Sequence, residues 1–276
     1  MKKSIKKVVH ISDTHFGKVD PIMINAIIAW CKNTRPDVVI ISGDLTQRAR
    51  LVEFEAARDF IFALRKSCKN IVAIPGNHDI APLYTPVNRI LHAYERYNKI
   101  IVPITVQEYA DDQLAILGIN TVRSSRLKDG RISKKDISRA TLWFNAQSEM
   151  STRIVVTHHP IDLPHPRSAT KLVLGSNRAV YALAEAGVDM YLSGHHHTYS
   201  VAHTSVRYSK PHNSAIAIQA GTVSTRTRHE TQSFNLMCIE QGKVVITIYN
   251  WNLDKKDFTI KQSQTFVQHA NQWESL

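Results

Sequence analysis

The sequence has little cysteine, little glycine or proline, no long apolar run and a shortage of acids. Its three cysteines, Cys31, Cys68 and Cys238, are odd in number, far apart and outside any paired motif. That argues against a disulfide framework and against a thiolate metal site, and it favours a reducing compartment. Ten Gly and ten Pro against 43% hydrophobic residues exclude a disordered or fibrous chain and imply a sizeable core. No segment approaches the roughly 18 uninterrupted apolar residues of a membrane span. The basic start MKKSIKK is followed only by VVHIS, too short for the apolar region of a signal peptide. A cytoplasmic protein is expected. The 23 acids face 35 Lys and Arg, a formal charge of +12. Such a surface attracts a small phosphate-bearing substrate, nucleic acid or, peripherally, an anionic membrane. Apart from KKSIKK the charges are dispersed, so charge alone does not choose among these partners, and nothing in the sequence sets the oligomeric state.

What the chain does have is one grammar repeated five times. The stretch Asp37–Gln47, DVVIISGDLTQ, is an apolar run that ends at a carboxylate. It reads as a strand buried on both faces with Asp44 at its C-terminal end, where open α/β sheets keep their chemistry. KVVHISDTH, NIVAIPGNHD, RIVVTHH and DMYLSGHHH do the same, and together they deliver Asp13, His15, Asp44, Asn77, His78, His158, His195 and His197.

Between these runs the spacing turns helical. Pro21 opens a helix whose Ile24, Ile27, Ile28 and Cys31 share one stripe, and Phe54, Ala57, Ile61 and Leu64 form a second. The result is β-α-β-α-β with parallel strands. From Ile80 the pattern loosens into a Pro- and Tyr-containing segment, a short helix over Val87 to Tyr97 and a hairpin near Ala110 to Gln113. A strand is expected over Leu114 to Val122. Ser133, with Asp136 three residues on, caps a helix through Met150, and Ser176 caps another that stops at Gly187. After His197 the chain becomes β-rich, with strands over Tyr199–Val206, Ala215–Gln219, Phe234–Glu240, Lys243–Trp251 and Phe258–His269 and a tight turn at Gln241-Gly242. This order predicts an α/β protein, a four-layer α-β-β-α sandwich of two mixed sheets packed face to face with helices outside. With no repeat or composition break, residues 1–276 are expected to form a single domain, with 198–276 completing the sheets.

In Asp13-Thr-His15 and His195-His-His197 the candidate ligands lie two apart, and in extended chain both would point to one face. Imidazole with carboxylate and no thiolate suits Mn, Fe or Zn in a working site rather than a structural one. Seven candidate ligands, Asp13, His15, Asp44, Asn77, His158, His195 and His197, exceed one tetrahedral ion and suit two.

The ordered blocks Asp13-x-His15, Gly43-Asp44, Gly76-Asn77-His78-Asp79, His158 and Gly194-His195-x-His197 resemble the signature of the calcineurin-like binuclear metallophosphoesterases. They cover residues 13–197. Chain length and the segments PGNHDIAPLY and SGHHH are most similar to the bacterial class III cyclic-nucleotide phosphodiesterases. The resemblance implies two divalent metal ions. Asp13, His15, Asp44 and His197 would hold one, and Asp44, Asn77, His158 and His195 the other, with Asp44 as the bridge. It further implies hydrolysis of a phosphodiester, a cyclic nucleotide among the choices, by a metal-bridging hydroxide. His78 would contact the phosphate and protonate the leaving oxygen, and Asp79 would orient its other ring nitrogen. His159, before Pro160, is expected beside the ligands rather than among them, and His10 in the core. Thr46 and Arg48, the Tyr84 segment, Pro160 to Lys171 with His165 and Arg167, and Gly221 to Arg228 are candidates for the substrate wall, with Arg48, Tyr84 and Arg228 the named contacts.

Other functions of the same superfamily make different demands. Lipid A precursor pyrophosphohydrolases typically carry arginine where His78 stands; DNA nucleases usually append reading and capping regions, whereas the residues after His197 are expected to complete the sheets, and the positive charge keeps a nuclease as an alternative. A metal-free protein-binding scaffold would have eroded ligands, whereas every ligand position here is filled.

Overall fold

Alternation within the apolar runs decides the architecture, because successive residues of a strand face opposite sides of its sheet. The computed structural model describes residues 4–81, 89, 91–126, 128–163, 172–204, 208, 214–228, 230–270 and 272–276. Its first half runs β1 (Lys6–Ile11), α1 (Pro21–Thr34), β2 (Val38–Ile41), α2 (Leu51–Arg65), β3 (Asn70–Ala73), α3 (Glu95–Ile100), β4 (Glu108–Ala110), β5 (Leu114–Gly118) and α4 (Lys134–Asn145). Then come β6 (Thr152–Val156), α5 (Ser176–Glu185), β7 (Met190–Ser193), β8 (Ser200–His203), β9 (Ile216–Gln219), β10 (Ser233–Glu240), β11 (Lys243–Asn252), β12 (Asp257–His269) and β13 (Gln272–Ser275).

Two mixed sheets result. One has seven strands in the order β13-β12-β11-β10-β1-β2-β3, the other six in the order β4-β5-β6-β7-β9-β8. In the first, β1, β2 and β3 are parallel and β10 joins β1 antiparallel, Val8 opposite Met237. In the second, β5, β6, β7 and β9 are parallel, with β4 and β8 antiparallel at the edges.

Val8, Val38, Ile40 and Val72 turn inward and meet Ile116, Ile154, Val156, Leu192 and Ile218 in one core between the sheets. Their neighbours Val9, Val39, Ile41 and Ile71 turn outward onto Ile24 and Ile27 of α1 and Phe54 and Ile61 of α2. On the far side Leu117, Val155 and Tyr191 meet Ile137, Ala140 and Phe144 of α4 and Ala179 and Leu183 of α5. The four layers are those the sequence predicts. Each buried aliphatic is worth about 1.5–3 kcal/mol relative to exposure, so three such cores hold the strand ends without help from the polar site.

Local chemistry sets the boundaries. The Asp20 side chain accepts from Ile22 N and Pro21 occupies the first helical turn, which fixes the start of α1. Ser133 and Asp136 exchange hydrogen bonds as a capping box. The helix they open stops at Asn145 rather than Met150. There the Ser148 hydroxyl accepts from Met150 N and the Ser151 hydroxyl donates to the Ser148 carbonyl, so side chains replace the helical ladder. α5 is entered through Gly175 at φ 94°, with Ser176 already inside the helix. β5 ends at Gly118, and further on Asn120 Oδ1 accepts from Val122 N in a local turn. The expected helix over Val87 to Tyr97 falls partly outside the described residues, and the described helix lies later, at Glu95–Ile100. β13, unannounced by its polar sequence, is placed by Trp273, whose indole N–H donates to Asp189.

Candidate metal centre

Five of the parallel strands end at one edge of the sandwich. The loops after β1, β2, β3, β6 and β7 carry Asp13 and His15, Asp44, Asn77 and His78, His158, and His195 and His197. Asp13 and His15 do not lie in extended chain as expected. β1 stops at Ile11, and both residues have positive φ, 53° and 45°. Asp44 at 51°, His195 at 74° and His197 at 60° share that conformation. The left-handed region is costly for residues with a Cβ, and such outliers concentrate at functional sites. The loops also approach closely. A Cβ on Gly76 would strike Asp44, and one on Gly194 would strike Ser12 and Asp13.

Each carboxylate divides its oxygens. Asp13 Oδ2 accepts from Ser12 Oγ at 2.6 Å and His195 N at 2.9 Å, while Asp13 Oδ1 is buried without a hydrogen-bond donor. That oxygen faces His197 Nε2 at 3.2 Å and His15 Nε2 at 3.7 Å. Asp44 Oδ1 accepts from His78 N at 2.8 Å, and its Oδ2 faces His15 Nε2 at 3.7 Å and His158 Nε2 at 3.4 Å.

The ring nitrogens behave alike. His15 Nδ1 donates to the Thr46 carbonyl at 3.2 Å, and His197 Nδ1 to the Arg226 carbonyl at 2.6 Å. Their Nε2 atoms therefore carry lone pairs, yet they face each other at 3.1 Å. His158 Nδ1 donates to the Ser42 carbonyl, and its Nε2 faces Asn77 Oδ1 at 3.2 Å and His195 Nδ1 at 3.3 Å. Acceptors converge on acceptors. Separations of 3.1–3.7 Å are close to those a shared cation would impose, since bonds of about 2.1 Å at tetrahedral or octahedral angles put neighbouring ligands about 3.0–3.4 Å apart. The donor set fits two cations, one among Asp13, His15 and His197, the other among His158, His195 and Asn77, with Asp44 Oδ2 between them.

Electrostatics favours the ligand forms. Burial pushes the His15 ring down to about 4 and, with His158 and His159 nearby, holds His195 well below its ordinary value. Burial works against the carboxylates of Asp13 and Asp44, but the histidines around them win and keep both low. His158 and His197 are the exceptions: burial lowers both, but Asp44 beside His158 raises its ring to about 9 and Asp13 beside His197 raises that ring. Cations at these positions would displace those protons.

The neighbouring residues sort clearly. His159 lies close to His158 and His195, but its Nε2 donates to the Lys128 carbonyl and its Nδ1 accepts from Thr121 Oγ1, so neither nitrogen is left for a metal. His10 is fully buried on Ser42. His78 is half-buried, and its Nδ1 donates to the Gln47 carbonyl at 2.8 Å. Asp79 does not reach that ring, a departure from the expected pairing. Instead it accepts from Leu45 N, Thr46 N, Thr46 Oγ1 and Gly76 N, and so clamps the Asp44 loop to the next one. Burial and the Asp44 charge raise its carboxyl to about 7. The reason is geometric: Asp79 turns back under the loops with 1% exposure while His78 faces outward.

Among the wall candidates, Thr46 is buried within that clamp and Arg48 is exposed. Arg228 is also exposed. Among the described residues, the arginine that reaches the centre is Arg226, whose Nη1 lies 3.3 Å from His78 Nε2 and 3.4 Å from Gln47 Oε1. Sequence reasoning reached its loop but not its residue, because the segment between β9 and β10 is not a strand and its spacing does not say which arginine turns inward. Tyr84, His165, Arg167 and Lys171 lie outside the described residues.

The comparisons with known proteins agree with this geometry. The family model described as calcineurin-like phosphoesterase matches residues 6–199. The glycerophosphodiester phosphodiesterase GpdQ of Enterobacter lignolyticus is 40% identical over 81 residues, covering 25% of this chain and 28% of that protein. A protein named "Probable cyclic nucleotide phosphodiesterase" from Ruthia magnifica subsp. Calyptogena magnifica is 25% identical over 199 residues, covering 68% of this chain and 77% of its own. The match thus spans little more than a quarter of the first relative and about three quarters of the second. The purple acid phosphatase PPD1 of yellow lupin superposes with a TM-score of 0.71 at 12% identity, over 96% of this chain and 54% of that one. A dimetal phosphatase from Danio rerio superposes with a TM-score of 0.58 at 12% identity, over 94% and 99%. At such identities the solved structures speak for the fold alone.

Proposed function

Because the chain belongs to the calcineurin-like phosphoesterase family, whose members are binuclear metal-dependent phosphoester hydrolases, we propose that it hydrolyses phosphodiesters, with cyclic nucleotides as the substrate class. The observation that carries the reading is the meeting of lone pairs: His15 on His197, His158 on Asn77 and His195, and Asp44 Oδ2 facing both groups. Two divalent ions bound there supply charge that offsets the phosphoryl oxygens and lowers the pKa of a water.

The chain's own residues do the rest. Carbonyls of Thr46, Ser42 and Arg226 hold the Nδ1 atoms of His15, His158 and His197, so that in each ring Nε2 is the nitrogen left for a metal. Asp79 holds the loop of Asp44 against that of Asn77, which keeps the two ligand groups in register. His78, anchored through Nδ1, presents Nε2 as the atom that takes up a proton and delivers it to the leaving oxygen. An alkoxide leaving from ribose needs that proton, which makes this ring important for a nucleotide diester.

The test is a panel of aryl phosphodiesters, phosphomonoesters, cyclic nucleotides and single-stranded DNA, assayed with Mn, Zn and Fe. Metal-dependent turnover of aryl diesters and cyclic nucleotides is expected, and Asp44→Asn should remove it with the circular dichroism spectrum unchanged. No metal-dependent turnover of any ester, or full activity in Asp44→Asn, would overturn the reading.

A further inference from the structure

Arg226 is a cation without an anion. Among the described residues no carboxylate lies within ion-pair distance of its guanidinium, although Arg123 and Arg58 each have one. Its Nη1 instead points at two neutral acceptors, His78 Nε2 and the Gln47 side-chain oxygen. The side chain is half-buried, so water screens it only in part. Its backbone is fixed independently: Arg226 N donates to Ser224 Oγ at 3.2 Å, and its carbonyl receives His197 Nδ1 at 2.6 Å. Ser224 is in turn tied to Thr222, whose hydroxyl donates to the Asp13 carbonyl. The arginine is thus mounted on the same scaffold as the ligands Asp13 and His197, yet its guanidinium faces the open side where His78 stands.

Resting on the phosphodiesterase reading, we propose that Arg226 is the substrate's phosphate clamp: it leaves His78 and Gln47 to donate a forked pair of hydrogen bonds to a non-bridging phosphoryl oxygen and its neighbour. Three features support this choice over Arg48 and Arg228. It alone contacts the ring at the mouth of the metal centre. Guanidinium geometry suits two oxygens of one phosphate. Its two present contacts are to neutral groups and give way readily to a charged acceptor, because charge-assisted hydrogen bonds are roughly twice as strong. Release of His78 Nε2 follows from the same movement, so arrival of the phosphate frees the nitrogen that serves the leaving oxygen. Arg226 thereby couples anion binding to the availability of the ring.

The experiment uses the full chain loaded with Mn, with Arg226→Gln, Arg226→Lys and Arg228→Gln as variants. Metal content is measured first, then the affinity for inorganic phosphate by calorimetry, then KM and kcat on an aryl phosphodiester. Arg226→Gln should retain both metals, bind phosphate about ten- to hundredfold more weakly and raise KM by a similar factor, the size of one lost charge-assisted contact. Arg226→Lys should recover part of the affinity, since it restores the charge without the fork, and it carries the test if the Gln variant does not fold. Arg228→Gln should bind phosphate as the wild type does. Loss of metal from Arg226→Gln would make the residue a support for His197 and overturn the proposal, as would phosphate affinity within twofold of wild type. Wild-type protein that binds phosphate through Arg226 but hydrolyses no ester would leave the clamp standing and refute the phosphodiesterase reading instead.

Discussion

Asp44 divides its carboxylate between a backbone N–H and the space between two groups of lone pairs, whereas Asp79, in the loop after the next strand, spends both oxygens on backbone and a hydroxyl. Residues of one chemical type thus take opposite roles from position alone. The same distinction separates His78 from His195. The first has a ring anchored through Nδ1 whose Nε2 faces Arg226, and the second aims Nδ1 at His158. His78→Ala should therefore keep its metals and lose about 10²- to 10⁴-fold on a cyclic nucleotide, with a markedly smaller deficit on a nitrophenyl diester whose leaving group needs little protonation. Parallel measurement of kcat on both substrates with metal analysis checks this. Equal deficits would assign the ring to phosphoryl charge instead, and metal loss would make it a ligand. The sequence showed which residue types crowd the strand ends, because a buried strand followed by Asp, Asn or His is legible as a pattern. It did not show which oxygen faces which nitrogen. Asp79 could not be read as a loop clamp, nor Arg226 separated from Arg228, because those depend on where a side chain turns within two residues of backbone.

The loops are shaped by strain as much as by sequence. Five residues of the site, Asp13, His15, Asp44, His195 and His197, hold positive φ, each at a cost of roughly 1–3 kcal/mol that the surrounding layers must offset. The spacing Asp-x-His was legible, but the conformation that makes both side chains converge was not, since extended chain would give the same prediction. Helix ends at Asn145 and Gly175 were missed for a related reason: hydroxyl and glycine contacts of individual loops override helix periodicity. The tightest approach is at Gly194, where an added Cβ would meet Ser12 Oγ and the Asp13 carboxylate. Gly194→Ala should push Asp13 from its place and deplete the metals. Its stability in chelator should fall by about 1–3 kcal/mol, the usual cost of overpacking. Metal analysis and urea unfolding report the two halves, and wild-type metal content in the variant would contradict the packing argument.

Across the whole molecule, Asp189 joins the two sheets at the end opposite the metal centre. It accepts from Arg153 N beside β7, from Gln268 Nε2 on β12 and from Trp273 Nε1 on β13. Burial raises its carboxyl to about 6, and the three donors only partly restrain that rise. A folded pKa above the unfolded value of 3.8 means stability that is complete below 3.8 and lost as pH rises through about 6. Between pH 4 and 7 this group should therefore cost roughly 2–3 kcal/mol. Urea unfolding of wild type and Asp189→Asn at both pH values should show their stability difference moving by that amount in the variant's favour at pH 7, and a difference independent of pH would refute the assignment. The four-layer architecture was legible in the order of runs and stripes. The attachment of β13 was not, since it depends on a single indole finding a buried carboxylate in a polar terminal segment.

The position of β1 has a consequence for how the protein is made. Its Lys6–Ile11 strand lies between β2 and β10, with Lys6 opposite Ile239. As the chain leaves the ribosome, β1, β2 and β3 can pair early with their helices, but one flank of β1 stays bare until β10 has been synthesised. At roughly 5–20 residues per second that interval lasts on the order of 10–45 seconds, and throughout it an unpaired edge of valine and isoleucine is open to other nascent chains. The strand that carries Asp13 and His15 into place is thus also the one separated by the longest stretch of chain from a strand it pairs with.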